Sequence, residues 1–150
     1  MPRFEYRLND AAKDYPVLYY YEDINETEIA MRLVCDYFVK DGKTWMKTLS
    51  AAELSQYVVY VEEAGSDSAE SSNSTQPVMP GWIAVEVREY REGAQNYPLI
   101  HQFSLPGQVQ ALSYMVSDTL VLFEQEWEKT STEIDEDRQA YIYYCRKTGG

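Results

Sequence analysis

The side chains that carry chemistry in this sequence are few and far apart. His101 is the only histidine in 150 residues, and it stands in "LIHQF", alternating with Leu99 and Phe103. A catalytic base needs a partner that orients its ring, and a metal ligand needs His, Cys or carboxylate companions at defined spacing. His101 has neither nearby, and no G-x-S-x-G elbow accompanies it. It reads as a strand histidine with a satisfied hydrogen bond. Cys35 and Cys145 are the two cysteines and form no C-x-x-C. Arg146 would favour a Cys145 thiolate, but burial as an inert thiol is the commoner fate. The glycines form no phosphate-cradling loop. "EIDEDR" (Glu133 to Arg138) lacks the glycine and ligand order of a calcium loop. The expectation is no catalytic residue, no cofactor and no metal.

Tyrosine is the unusual resource, with 14 copies clustered in "VLYYYED", "QYVVYVEE" and "YIYYCRK". Base stacking is one use for such rings, but stacking platforms work inside basic grooves. The net charge of −12 repels phosphate, so neither nucleic acid nor an anionic membrane surface is expected. Tyrosine joins a large ring to a hydroxyl that stays hydrated until a partner arrives. Tyr19, Tyr20, Tyr21, Tyr57, Tyr60, Tyr141, Tyr143 and Tyr144 are therefore the candidate interaction surface, for a protein partner or a second copy of the chain. The acids from Glu124 to Asp137 read first as a solvated face, and in a sharper version as a docking surface for a basic partner.

Elements must position these residues. Ile29, Met31, Leu33, Cys35, Tyr37 and Val39 alternate, which is the period of a strand. The same stretch also fits four-residue spacing, with Asn25 and Glu28 placed as a capping box. Asp41-Gly42 suits a two-residue type I′ turn. Folding the chain there pairs Phe38 with Trp45 and Asp36 with Lys47 in one register, so the expectation is a hairpin. Val109, Leu112, Val116, Leu120, Phe123 and Trp127 recur at three- and four-residue steps and predict one long amphipathic helix, about 105–129. Further strands are expected at Phe4–Leu8, Val17–Glu22, Gln56–Glu63, Trp82–Arg91, Tyr97–Phe103 and Tyr141–Arg146. No internal repeat is read from the chain.

The fold class is thus α+β, a mainly antiparallel sheet of about six to eight strands with the helix on one face. One domain over 1–150 is expected, with a flexible Ser-rich loop at 64–81. The amino-terminal stretch has no apolar leader core and the cysteines are sparse, which points to a cytoplasmic protein. The functional expectation is a small acidic, non-enzymatic binding or regulatory protein acting through the aromatic sheet face. Two alternatives are an acidic inhibitor or immunity-type protein masking a basic nucleic-acid enzyme, and a small-molecule-binding domain or enzyme with a Tyr-lined pocket.

Overall fold

A computed structural model describes residues 3–64, 77–94 and 97–149. The expected loop at 64–81 falls for the greater part outside the described residues. Strands run β1 Arg3–Leu8, β2 Val17–Tyr21, β3 Tyr37–Lys40, β4 Lys43–Ala52, β5 Gln56–Glu63, β6 Ile83–Glu89, β7 Leu99–Leu105, β8 Thr119–Leu122, β9 Gln125–Asp135 and β10 Ala140–Lys147. The helices are α1 Glu26–Val34 and α2 Gln108–Val116, with a 3-10 turn at Ala11–Lys13. All ten strands form one sheet in the order β2-β1-β5-β4-β3-β9-β10-β6-β7, with β8 beside β9.

The fold is α+β with a sheet core, but three expectations are corrected. The sheet has ten strands and is mixed: β1 with β5, β6 with β10, and β3 with β9 run parallel. The long helix over 105–129 is replaced by the end of β7, α2, β8 and the start of β9. Its apolar spacing spans a helix, a strand and a turn, because Phe123-Glu124 reverses the chain without the usual turn residues. Third, residues 26–34 are helical where alternation suggested strand. The Asn25 side chain accepts from the Glu28 N–H at 2.9 Å, and this cap decides a stretch that fits both periods.

The hairpin itself forms. Asp41 and Gly42 have φ of 54° and 74°, and Phe38 faces Trp45. Asp36 and Lys47 are neighbours without an ion pair. The Lys47 N–H donates to the Asp36 carbonyl, while Lys47 Nζ caps the Leu33 carbonyl at 2.8 Å.

The chain is built twice. The order β-β-α-β-β-β occurs first as β1, β2, α1, β3, β4, β5 and again as β6, β7, α2, β8, β9, β10. Each unit pairs its first strand with its second antiparallel and with its last in parallel. The detail repeats as well. Tyr15-Pro16, Asp36, Trp45 and Lys47-Thr48 recur at one constant offset as Tyr97-Pro98, Asp118, Trp127 and Lys129-Thr130. Lys129 Nζ caps the Met115 carbonyl as Lys47 caps Leu33, and the register slips at Thr48 and again at Thr130. Glu5 holds Arg7, and Glu86 holds Arg88, each pair at 2.8 Å. Both arginines also reach the carbonyl of the repeated tyrosine, Tyr15 or Tyr97. The absence of a repeat in the sequence reading is therefore corrected.

The units join where β3 meets β9, and α1 packs against α2. One continuous row, Trp45, Phe38, Ile134, Tyr141, Val85 and Phe103, crosses the sheet on the helix side and belongs to the core. Such a row spans both units, so their burial is shared.

Candidate functional site: two equivalent ends of a duplicated sheet

The eight candidate tyrosines do not share one surface. Tyr19, Tyr21, Tyr57, Tyr141 and Tyr143 pack with the helix-side core, whereas Tyr20, Tyr60 and Tyr144 point to the other face. Tyr143 is fully buried and its hydroxyl donates to the Ser117 carbonyl at 2.7 Å. Tyr141 and Tyr144 are buried too, and Tyr144 donates to Glu133. Only Tyr20, 59% exposed beneath the Arg3 guanidinium, presents an open ring. Rings buried in the core cannot meet a partner without unfolding it, so Tyr141, Tyr143 and Tyr144 serve packing rather than docking. Alternation in "VLYYY" was legible; closure of the core over one face was not.

In the first unit, the rings surround a charge. Tyr6 stacks on Phe38 at 3.9 Å, and Tyr21 lies against Tyr6. The buried Arg32 sits over the Tyr21 ring at 4.2 Å, and its Nη1 reaches the Tyr6 hydroxyl and Glu136. Arg32 Nε stands 3.9 Å from Glu28 and has no hydrogen-bond partner among the described residues. Glu136 also accepts from the Tyr21 hydroxyl and from Lys40 Nζ at 2.9 Å. Burial opposes its charge, yet the Tyr21 hydroxyl, Lys40 and Arg32 together hold its carboxyl below the ordinary range. Burial raises the phenols of Tyr6 and Tyr21 despite the nearby Arg32. Glu136 belongs to the β9–β10 turn of the second unit. Next to it, Asp137 binds the N–H groups of Asp41 and Gly42. These acids, expected on a solvated face, instead clamp one unit to the other.

The second unit has the same place without the clamp. Tyr114 takes the position of Arg32 and Phe103 that of Tyr21, and the two rings stack at 4.3 Å. His101 takes the position of Tyr19 and lies edge-on to Phe103 and Phe123. Its neighbours are hydrocarbon rings, and no metal-ligating cluster occurs among the described residues. The turn is open. Phe123 is 77% exposed and Val121 is 69% exposed. Phe123 and Glu124 hold φ of 51° and 66°, where the first unit uses Asp41-Gly42. A left-handed phenylalanine is strained, because its Cβ crowds the following carbonyl.

On the face away from the helices, Glu86 is wholly buried and is gripped by Arg88 and by Arg138 at 2.7 Å. Arg138 is also bound by Asp135. Glu133 shares a row with Glu86 across β10. Burial, then the charge of Asp135, raise its carboxyl to about 7, against the Tyr144 hydroxyl bond and Arg138. All these groups are mutually satisfied, which suits a structural network. Cys35 and Cys145 are unpaired and buried, and burial pushes both thiols up to about 12, far from a reactive thiolate.

No protein-family model, curated protein or solved structure matches this chain. No helix among the described residues is long and apolar enough to cross a membrane. The residues missed from sequence are Phe123, placed on the apolar stripe of the expected helix, and Val121, which falls within the same expected helix. The repeat was the signal that would have exposed them, since it aligns Phe123-Glu124 with a recognisable turn.

Proposed function

We propose that this chain is a small acidic, non-enzymatic binding protein of the cytoplasm, and that its docking surface is the β8–β9 hairpin. One observation carries the reading: a bulky, exposed aromatic occupies the turn position least suited to it. Folding gains little from Phe123 there: its ring meets only the edge of His101, most of it faces water, and Asn would hold the left-handed backbone with less strain. Strain retained at an exposed site favours a functional reason over a structural one. Aromatic residues are also the side chains that dominate interface hot spots. The buried, unpaired cysteines suit a reducing compartment.

A second reading shares this surface. Asp118, Glu124 and Glu126 are exposed and take part in no ion pair among the described residues. That is the charge an acidic inhibitor of a basic enzyme would present. Partner binding that collapses between low and moderate salt would favour it.

The test uses the immobilised chain as bait, in wild-type form and as Phe123→Asn. Expected is a partner captured by the wild type, lost by Phe123→Asn, and a variant at least as stable as its parent. A partner held equally by both forms, or a Phe123→Asn chain that is less stable, would sink the reading.

A further inference from the structure

The two copies of one unit sit in different surroundings, so the occupied copy shows what the other lacks. In the first unit, β3 is flanked on both sides, by β4 and by β9. Just before it, the Asp36 N–H donates to the Thr132 carbonyl at 2.9 Å. The Asp36 carboxylate in turn accepts from the Thr132 N–H at 2.9 Å and from its hydroxyl at 3.3 Å. After this anchor the two strands run in parallel, with Tyr37 opposite Glu133, Phe38 opposite Ile134 and Val39 opposite Asp135.

In the second unit, β8 pairs with β9 alone among the described strands. Asp118 stands where Asp36 stands, and its carbonyl makes the equivalent bond to the Lys129 N–H. Its own N–H and carboxylate have no partner among the described residues, and it is exposed. Strict symmetry would bring β4 of the same chain here, with Ser50 in the place of Thr132. Instead Ser50 is exposed, and the residues after it are Ala51 and Ala52 where the template has Glu133 and Ile134. Ala52 alone would face Leu120, and its methyl offers little of what Ile134 offers Phe38, so the seam stays open.

We infer that the outer edge of β8 receives an extended segment of a partner protein, parallel to β8, with a Ser or Thr hydroxyl opposite Asp118. The inference rests on the binding-protein reading above and specifies the partner's chemistry. Position by position, the segment carries a hydroxyl, a cation, an aliphatic residue and a cation. The aliphatic residue lies opposite Leu120, whose side chain is buried in the core. The cations lie opposite Thr119 and Val121, on the face where β9 presents Glu126, without an ion pair among the described residues, and Glu128, which Arg146 already holds. Unpaired edge groups supply main-chain hydrogen bonds to such a strand, and side chains on alternate faces supply selectivity. A second copy of this chain fits poorly. Its net charge of −12 repels itself, and no Ser or Thr in its sequence is followed by Lys or Arg.

The test is an amide NMR titration of the full chain with a synthetic peptide containing Thr-Lys-Ile-Lys. Three control peptides replace the Thr by Val, both Lys by Glu, or both features at once. Expected are shift changes centred on residues 118–122 and slower exchange of the β8 edge amides on binding. Asp118→Ala and the Val peptide should each weaken binding by about tenfold, with little further loss when combined. The Glu peptide should not bind. The inference is overturned by no binding of the Lys peptide, by equal binding to Asp118→Ala, or by β8 edge amides already protected in the free monomer. Dimerisation through β8 in light scattering would overturn it in favour of a second copy. A natural partner that Phe123→Asn releases and Asp118→Ala retains would leave the binding-protein reading standing and refute the strand-docking one.

Discussion

The carboxylate of Asp137 accepts the backbone N–H of Gly42 at 2.8 Å, tying the last turn of the second unit to the hairpin of the first. Its other oxygen takes the Asp41 N–H at the same distance. Both donors belong to a tight turn and have no strand partner. Asp137→Ala should lower stability by about 1 kcal/mol, since the site is exposed and water replaces part of the loss. Denaturant midpoints of the variant and of Asp137→Asn would measure it, with Asn falling between.

The paired turns make opposite responses to glycine. Gly42 has φ of 74° with open space around its Cα, so Gly42→Val meets only backbone strain and should cost about 1–2 kcal/mol. Glu124 has φ of 66°, and Glu124→Gly should stabilise by up to about 1 kcal/mol. Thermal unfolding of both variants checks the pair. Equal effects of one sign would contradict the assigned turn geometry.

Arg32 is buried among Tyr6, Tyr21 and Phe38. Removing it leaves Glu136 with Lys40 as its remaining cation and opens space beside Tyr21 and Phe38. Arg32→Ala should therefore destabilise by about 3 kcal/mol, and Arg32→Lys should recover only part, because an ammonium cannot lie flat on Tyr21. Chemical denaturation followed by tyrosine and tryptophan fluorescence provides the measurement.

Glu133 predicts a pH response. Its folded-state carboxyl titrates near 7 instead of 4.5, so the proton is bound more tightly in the fold than in the open chain. The associated stability is complete below about 4.5 and is lost as pH climbs through 7. The loss is on the order of 3 kcal/mol, and Glu133→Gln should flatten it. At the acid end the sign reverses. Glu5 and Glu136 are held below their ordinary values despite burial, by Arg3 and Arg7 and by Tyr21 and Lys40, so their contribution fades as pH falls below about 4. Urea midpoints between pH 3 and about 9 should show a maximum between these limits.

Strands bounded by turn residues were legible in the sequence. Gln56–Glu63 reads directly from its composition, and Asp41-Gly42 announces its turn. Residues 26–34 were ambiguous because Ile29, Leu33 and Tyr37 satisfy both periods, and one side chain, Asn25, breaks the tie. Residues 105–129 misled for a different reason: Val116, Leu120, Phe123 and Trp127 fall at helical steps across a helix, a strand and a turn that lacks Asn or Gly. The duplication was hidden because its shared residues are scattered. Glu-x-Arg, Tyr-Pro, a lone Asp and Lys-Thr serve backbone or buried polar contacts and the tryptophans the core, while most apolar positions between them differ in the two units. Which candidate tyrosines are buried was not legible, because Tyr143 and Tyr144 are covered by Ser117 and Tyr97, partners far away in sequence.

The parallel pairing of β3 with β9 also orders events during synthesis. The first unit has all its strands once Glu63 has left the ribosome, and domains generally fold as they emerge. Its β3 edge, with Asp36 presented beside it, then waits for Thr132 to Asp135, which appear only after most of the second unit. Until that moment, a nascent chain whose β3–β4 hairpin has formed would expose one edge of the kind that β8 keeps in the finished protein. The final strand to dock on β3 is thus a delayed intramolecular ligand, and any basic segment drawn to β8 would meet an earlier, transient rival site on the growing chain.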